Sequence, residues 1–509
     1  MSLARTWSVA LEGVRGHLVE VEADLAQGLP GLTLTGLPDT ALNEARDRVR
    51  SAVLNSREQW PQQRITVNLS PASLQKRGSG FDLALAVVVL AAAGVIPQEA
   101  IARAVFLGEL GLDGRVRPIR GVLPAALAAV EAGLTQLAVP YANAAEAALV
   151  PGAQVTPVAT LADLLAVLRD EIPADRPPPA PPCERPAGPN LADVLGQPMA
   201  RRAAEVAAAG GHHLALQGAP GAGKTMIAER MPGLLPALGE REALEVTTVH
   251  SVAGALPADR PLVTWPPYQA PHHTASVPAI VGGGAGVPRP GAASLAHRGV
   301  LFLDEAPEFA SGVLDALREP LESGEVVLAR ATATVRYPAA FQLVLASNPC
   351  PCGRSEGSGA GCLCAPQAIR RYAARLSGPL LDRVDLRIAV DRPSRADLLA
   401  DRGWAESTER VAARVQAARA AAADRLAGTP WRANAEVPGP ELKRRWMPSA
   451  GALLPLRHEL EHGRLTARGV DRVLRVSWTL ADLAERGAPT ALDVAAALQF
   501  RDGRLRGAA

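Results

Sequence analysis

Val19-Glu-Val-Glu-Ala23 and Leu32-Thr-Leu-Thr35 alternate apolar and polar residues, the pattern of half-buried strands. From Asp39 to Leu54, Leu42, Ala45, Val49, Ala52 and Val53 recur at helical spacing on one face. Ile65–Leu69 reads as another strand. After a Gly-rich turn from Lys76, the run Leu83–Ile96 is apolar throughout. It predicts a buried helix and is too short to span a bilayer. A strand at Ala104–Leu107, a turn at Asp113-Gly114, a strand at Val116–Ile119 and a helix from about Pro124 complete a first α/β unit, residues 1–170. This unit shows no metal ligands and no nucleotide loop.

Residues 171–190 change character. Eight prolines fall between Pro173 and Pro189, so the stretch is extended, stiff and unable to form a helix or a central strand. Beyond this linker, the runs His213–Gln217, Val300–Leu303 and Gln342–Ser347 read as buried strands of a second α/β unit, residues 191–392. From residue 393 to 509 the pattern is helical. Ala396–Leu426 predicts one long helical segment, with Ser394 placed to cap its start. Pro438–Pro455 breaks it, Leu465–Trp478 turns Val470, Val473, Leu474 and Ser477 inward, and Ala491–Phe500 is a closing helix. The expected fold class is a multidomain α/β chain ending in a helical lid.

Composition narrows this only slightly. At 509 residues the chain needs about two to four domains, and 48% hydrophobic with 20% charged residues excludes a disordered protein. A formal net charge of +2 requires any nucleic-acid surface to be local. Aromatic residues at 3% leave little for base-stacking platforms. Met1–Gly13 lacks a continuous apolar segment, so no secretory signal is expected and the expected location is the cytoplasm.

Chemistry enters at Gly218-Ala219-Pro220-Gly221-Ala222-Gly223-Lys224-Thr225, between an apolar run and Met226–Met231. A strand, a glycine-rich turn and a helix start make a P-loop, in which backbone N–H groups and the helix N-terminus face a phosphate. Lys224 would reach the β- and γ-phosphates and Thr225 would hold Mg²⁺. Only three of the 53 basic residues are lysine (Lys76, Lys224 and Lys443), so a lysine here stands out from an arginine background. Val300–Leu303 runs into Asp304-Glu305, some eighty positions later. Asp304 would hold Mg²⁺ through its waters and Glu305 would polarise the attacking water. Gln342–Ser347 ends at Asn348, which would orient that water beside the γ-phosphate; an asparagine opening the Asn348-Pro349 turn is compatible with that role. Four of five cysteines form Cys350-Pro-Cys352 and Cys362-Leu-Cys364, a set able to give four thiolates to a structural zinc. Cys183, in the linker, reads as a reduced thiol. His272 and His273 have no partner at metal spacing, which leaves a self-capped loop and a functional role both open.

Gly108–Gly121 resembles the strand-turn-strand segment of the Lon protease catalytic domain, and Lys76–Leu83 resembles the loop carrying that family's serine. The Ser–Lys dyad does not carry over. The serine position falls on Gly78, next to Ser79, and the lysine position on Leu123; a serine without a base is inert. In the second unit, Pro271–Gly284 and the hairpin pattern Gly324–Tyr337 resemble the insert and hairpin that project into the pore of helix-2-insert AAA+ rings. The resemblance implies DNA contacts at Val281, Gly282 and Arg330, with Arg330 touching phosphates independently of sequence. It implies an arginine finger at Arg383 in Leu380–Leu386, whose alternative is a surface arginine paired with Asp382 or Asp385. It further implies a sensor 1 residue at Asn348 and a sensor 2 residue at Arg468. From the ordered set of motifs the chain is identified as a member of the ComM/YifB family of magnesium-chelatase-like AAA+ ATPases. Membership implies ATP and Mg²⁺ as cofactors and a homohexamer acting on single-stranded and branched DNA. It implies a branch-migration helicase of natural transformation, working with recombination proteins and without a membrane. Two rivals remain: a magnesium-chelatase-like remodeller of a protein partner, and a Lon-like protease.

Overall fold

The computed structural model describes residues 3–37, 39–76, 78–179, 185, 187–257, 259–284, 288–329, 334–355, 361–401 and 404–502. The chain is a mixed α/β protein whose C-terminal part is helical. Its first sheet has seven strands in the spatial order Gly31–Thr35, Arg64–Ser70, Arg15–Ala26, Leu3–Glu12, Ala104–Phe106, Gln136–Pro140, Gln154–Val158. Arg15–Ala26 is antiparallel to both neighbours, and the other pairs are parallel. Helix Thr40–Asn55 starts at the Asp39 cap and buries Leu42, Ala45, Val49, Ala52 and Val53 completely, the face expected from spacing. Helix Asp82–Ala92 packs in the same core.

Leu3–Glu12 pairs along its whole length with Arg15–Ala26, yet its apolar alternation is interrupted. Thr6 and Ser8 occupy inward positions and are fully buried. Thr6 Oγ1 donates to the Ile101 and Ala104 carbonyls at 3.0 and 3.2 Å, and Ser8 Oγ donates to Phe106 O at 3.0 Å. Side-chain hydrogen bonding thus replaces two apolar positions in a core strand. The predicted strand Val116–Ile119 is shorter, Val116–Arg117, and pairs only with Glu109–Leu110.

The second sheet has five parallel strands in the order Tyr268–Gln269, Val300–Leu303, Gln342–Ser347, Leu214–Gln217, Leu386–Ala389. Period-2 alternation assigns its faces. Leu214, Leu216, Val300, Phe302, Val344 and Ala346 share one core with helices Pro198–Gly210, Lys224–Leu234, Thr408–Arg425 and Ala467–Leu483. Leu301, Leu303, Leu343 and Leu345 face a separate core containing Ile280, Phe309 and Val313. The C-terminal helices therefore share a core with the second sheet.

A polar tie reinforces that contact. Asp385, 1% exposed just before strand Leu386–Ala389, lies 2.7 Å from Arg472 Nη1 on helix Ala467–Leu483. Burial opposes its charge, but Arg472 and His212 hold the carboxyl well below the usual carboxylate range.

The long helix expected over Ala396–Leu426 is two helices, Arg395–Ala400 and Thr408–Arg425. Ser394 caps the first and Ser407 caps the second, and the second cap ends the continuity. Helices Gly439–Arg445 and Leu454–Glu461 both begin within Pro438–Pro455, each with a proline in its first turn. Proline there lacks only an N–H that no helix would use, so it starts these helices.

The first unit packs on the second. Gly121 N donates to Ser251 O at 3.2 Å, and the Ser251 hydroxyl bonds Glu146. Cys183 lies outside the described residues.

Candidate active site

Parallel register gathers the expected residues at one end of the second sheet. Gln217 stands level with Ser347 and Ala389, while Leu303 stands level with Leu345. Gly218, Asp304 and Asn348 thus leave three adjacent strands on the same side, the carboxyl end where open parallel sheets bind ligands.

The loop Gly218–Gly223 has its tightest constraints at two points. A Cβ on Gly218 would meet the Val390 carbonyl, so only glycine fits beside the neighbouring strand. Gly223, φ +96°, turns the chain directly into helix Lys224–Leu234. Gly221 is also in the left-handed region; Ala222 is buried in the core. Lys224 is 7% exposed, and its ammonium donates to Gly218 O at 2.6 Å, Ala219 O at 2.9 Å and Asn348 Oδ1 at 3.2 Å. Thr225 Oγ1 donates to Asp304 Oδ2 at 2.9 Å, while Asp304 Oδ1 accepts the Glu305 N–H at 2.9 Å. A hydroxyl and a carboxylate in contact at the first turn of the helix after a glycine-rich loop have the donor set for a hard divalent cation on a phosphate. The residues present fit Mg²⁺ and a triphosphate.

Glu305 adopts φ +49°, the left-handed region that non-glycine residues rarely use. Its half-exposed carboxylate meets His273, whose Nδ1 is 3.2 Å from Glu305 Oε2. His272 instead uses its own loop, with Nδ1 2.9 Å from Thr274 Oγ1. The two adjacent histidines therefore differ: one is self-capped and the other holds the carboxylate expected to act on water. Partners that orient a ligating or catalytic group typically matter by about 10–100-fold. His273→Ala is expected to lower kcat by roughly tenfold to a hundredfold with nucleotide affinity unchanged. Steady-state kinetics with a nucleotide titration check this; an equal loss of affinity would contradict it.

Two contacts to the loop and one to Asn348 were not legible as site features. Gln197 Nε2 donates to Ala222 O at 3.0 Å, Arg392 Nη2 donates to Pro220 O at 2.8 Å, and Tyr372 lies against the Asn348 backbone. Burial pushes the Tyr372 hydroxyl up to about 12. The available signal for Gln197 was its place just before Pro198 at a helix start.

Other expected residues lie elsewhere. Arg383 is 13% exposed in its side chain, is bound to Glu322, and donates to Pro379 O at 2.6 Å. Its partner is thus neither Asp382 nor Asp385. Arg468 is exposed in the first turn of helix Ala467–Leu483. Val281 and Gly282 are both buried, Val281 in the core beside Ile280 and Gly282 against the Arg289 carbonyl. The apolar centre of the insert faces inward because it packs under the sheet. Arg330 lies outside the described residues, although strands Glu325–Ala329 and Thr334–Pro338 form the expected hairpin. In the first unit, Leu123 is fully buried and the Ser79 hydroxyl donates to the Glu109 carboxylate, so the lysine partner of the dyad is replaced by a carboxylate contact among the described residues. Cys350, Cys352, Cys362 and Cys364 converge, their sulfurs all within 4.8 Å of one another. The Arg354 N–H, followed by the neighbouring thiols, pulls Cys352 down to about 6. No described helix is long and apolar enough to cross a membrane.

The chain is similar to known proteins along most of its length. Residues 190–398 match the family described as Magnesium chelatase, subunit ChlI; residues 21–143 match Subunit ChlI of Mg-chelatase; residues 405–501 match its C-terminal part. An uncharacterised protein of Mycobacterium tuberculosis is 55% identical over 98% of this chain and 99% of its own. The uncharacterised protein YifB of Escherichia coli is 40% identical over 98% of this chain and 97% of its own. Competence protein ComM of Haemophilus influenzae is 41% identical over 95% and 94%. Similarity to Lon protease is partial: the Mycolicibacterium smegmatis enzyme is 29% identical over 31% of this chain.

Proposed function

The chain belongs to the ComM/YifB family of magnesium-chelatase-like AAA+ ATPases, and from that premise we propose a ring-forming motor that uses ATP hydrolysis to drive branch migration of recombining DNA. The observation that carries the ATPase reading is the meeting of Lys224, Thr225, Asp304 and Asn348 at adjacent strand ends, with Glu305 beside them. In this reading Lys224 binds the β- and γ-phosphates, Thr225 and Asp304 hold Mg²⁺, and Asn348 and Glu305 orient and deprotonate water. Bound Mg²⁺ would neutralise charge on the phosphates.

Completing the site in trans would fall to Arg383 of a neighbouring copy, released from Glu322, and Arg468 would report on the nucleotide from the lid. Both roles suit a homohexamer. The helix-2-insert assignment is supported by the short hairpin Gly282–Gly283 with Arg289–Pro290, set between strands Tyr268–Gln269 and Val300–Leu303. Tyr337 of the second hairpin donates to Pro288 O at 2.6 Å, which ties the two hairpins together. Arg289 is exposed and has no ion-pair partner among the described residues, so it joins Arg330 as the cation proposed for DNA phosphates. That one relative is named a competence protein supports a DNA substrate.

A labelled four-way junction tests the reading. ATP-dependent conversion into forked duplexes is expected, and an intact junction under active ATP turnover would count against it. A second reading, remodelling of a protein partner, is favoured by the chelatase-subunit descriptions of all three matched segments. Under it, the partner and not DNA would stimulate turnover.

A further inference from the structure

The cysteine cluster lies against the nucleotide site without belonging to it. The Sγ atoms of Cys350 and Cys352 are 3.4 Å apart, and each is 3.7 Å from Cys362 Sγ. Cys364 completes a group whose sulfurs all fall within 4.8 Å. A disulfide would bring two sulfurs to about 2.05 Å, and all four described cysteines are free thiols. A tetrahedral ion with metal–sulfur bonds of about 2.3 Å separates its four sulfurs by about 3.8 Å, close to the observed spacing. Such packing of four sulfurs is hard to account for without a shared cation, because thiols are weak hydrogen-bond partners for one another.

The surroundings say what the ion would do. Cys350 is fully buried and stands two residues after Asn348 on the same strand exit. The Gly353 N–H donates to Cys350 O at 3.0 Å, closing a tight turn at φ +72°. A Cβ on Gly353 would come within 2.5 Å of Pro220 Cδ, so this turn leans on the P-loop itself. Anything fixing the cysteines therefore fixes both Asn348 and the loop at Pro220.

We propose that Cys350, Cys352, Cys362 and Cys364 bind one Zn²⁺ in a closed structural site that braces Asn348 and the P-loop. The zinc site stands on sulfur geometry alone; the brace rests on the nucleotide-site reading. Four protein thiolates leave the ion no open position, so it takes no part in chemistry.

Metal analysis of reduced, freshly purified protein is expected to give about one zinc per chain. Cys352→Ser and Cys364→Ser change partly or fully exposed positions, and each should lose that zinc. Cobalt in place of the ion should show thiolate-to-metal charge transfer. Lys224→Ala should keep its zinc, which separates this proposal from the nucleotide site. Wild-type protein without metal, or holding iron, would overturn the site. For the brace, zinc-free Cys352→Ser should lose about tenfold in kcat, a typical loss when an outer partner is removed; unchanged turnover in zinc-free protein would overturn the brace and leave the metal site standing.

Discussion

Lys224→Ala is expected to lower ATP turnover by at least about a hundredfold, the usual scale for removing one donor aimed at developing charge, and to weaken nucleotide binding. The reason is geometric. Lys224 extends from the first residue of its helix back over the loop, reaching the Gly218 and Ala219 carbonyls and Asn348 within 3.2 Å. Phosphate oxygens in the same cradle would take over those bonds. Lys224→Arg should fail almost as completely. A planar guanidinium needs a fork of space, and a pocket 7% exposed accommodates only a compact ammonium. Because arginine serves nearly everywhere else in this chain, arginine failing here would isolate geometry from charge. Nucleotide titration and steady-state hydrolysis check both variants, with the melting temperature as the control for folding.

Glu305→Gln separates binding from chemistry. The substitution keeps the shape and the left-handed backbone at φ +49° but removes the base. Loss of a positioned base typically costs about 10²–10⁴ in rate. Turnover should fall by that factor while ATP binds as before, so ATP should remain with the protein through gel filtration. Normal turnover would remove Glu305 from the mechanism. His273 then becomes informative: in the Glu305→Gln background, His273→Ala should add little, because the two act through one group.

What was legible in the sequence were features whose physics is local. The P-loop, the carboxylates after Val300–Leu303 and the polar end of Gln342–Ser347 are continuous words, and parallel pairing brings their ends together. Helix Thr40–Asn55 was legible because one apolar face determines it. Features set by distant partners were not. Strand Leu3–Glu12 hides behind Thr6 and Ser8, whose hydroxyls are satisfied by carbonyls more than ninety residues away. Gln197, Arg392 and His273 reach the site through contacts that no spacing rule encodes. The burial of Val281 was not legible either, because an apolar segment in a glycine-rich insert looks the same whether it lines a pore or fills a core. The break between Ala400 and Thr408 was missed because alanine-rich helical periodicity continues across a cap.

The claim that ATP hydrolysis here drives movement on DNA is tested most directly by steady-state hydrolysis without DNA, with single strands and with a four-way junction, using Lys224→Ala as the blank. The account predicts that DNA stimulates turnover strongly, with the junction at least as effective as single strands. A hexamer that hydrolyses ATP at the same rate in all three conditions would contradict it and would favour the remodeller of a protein partner.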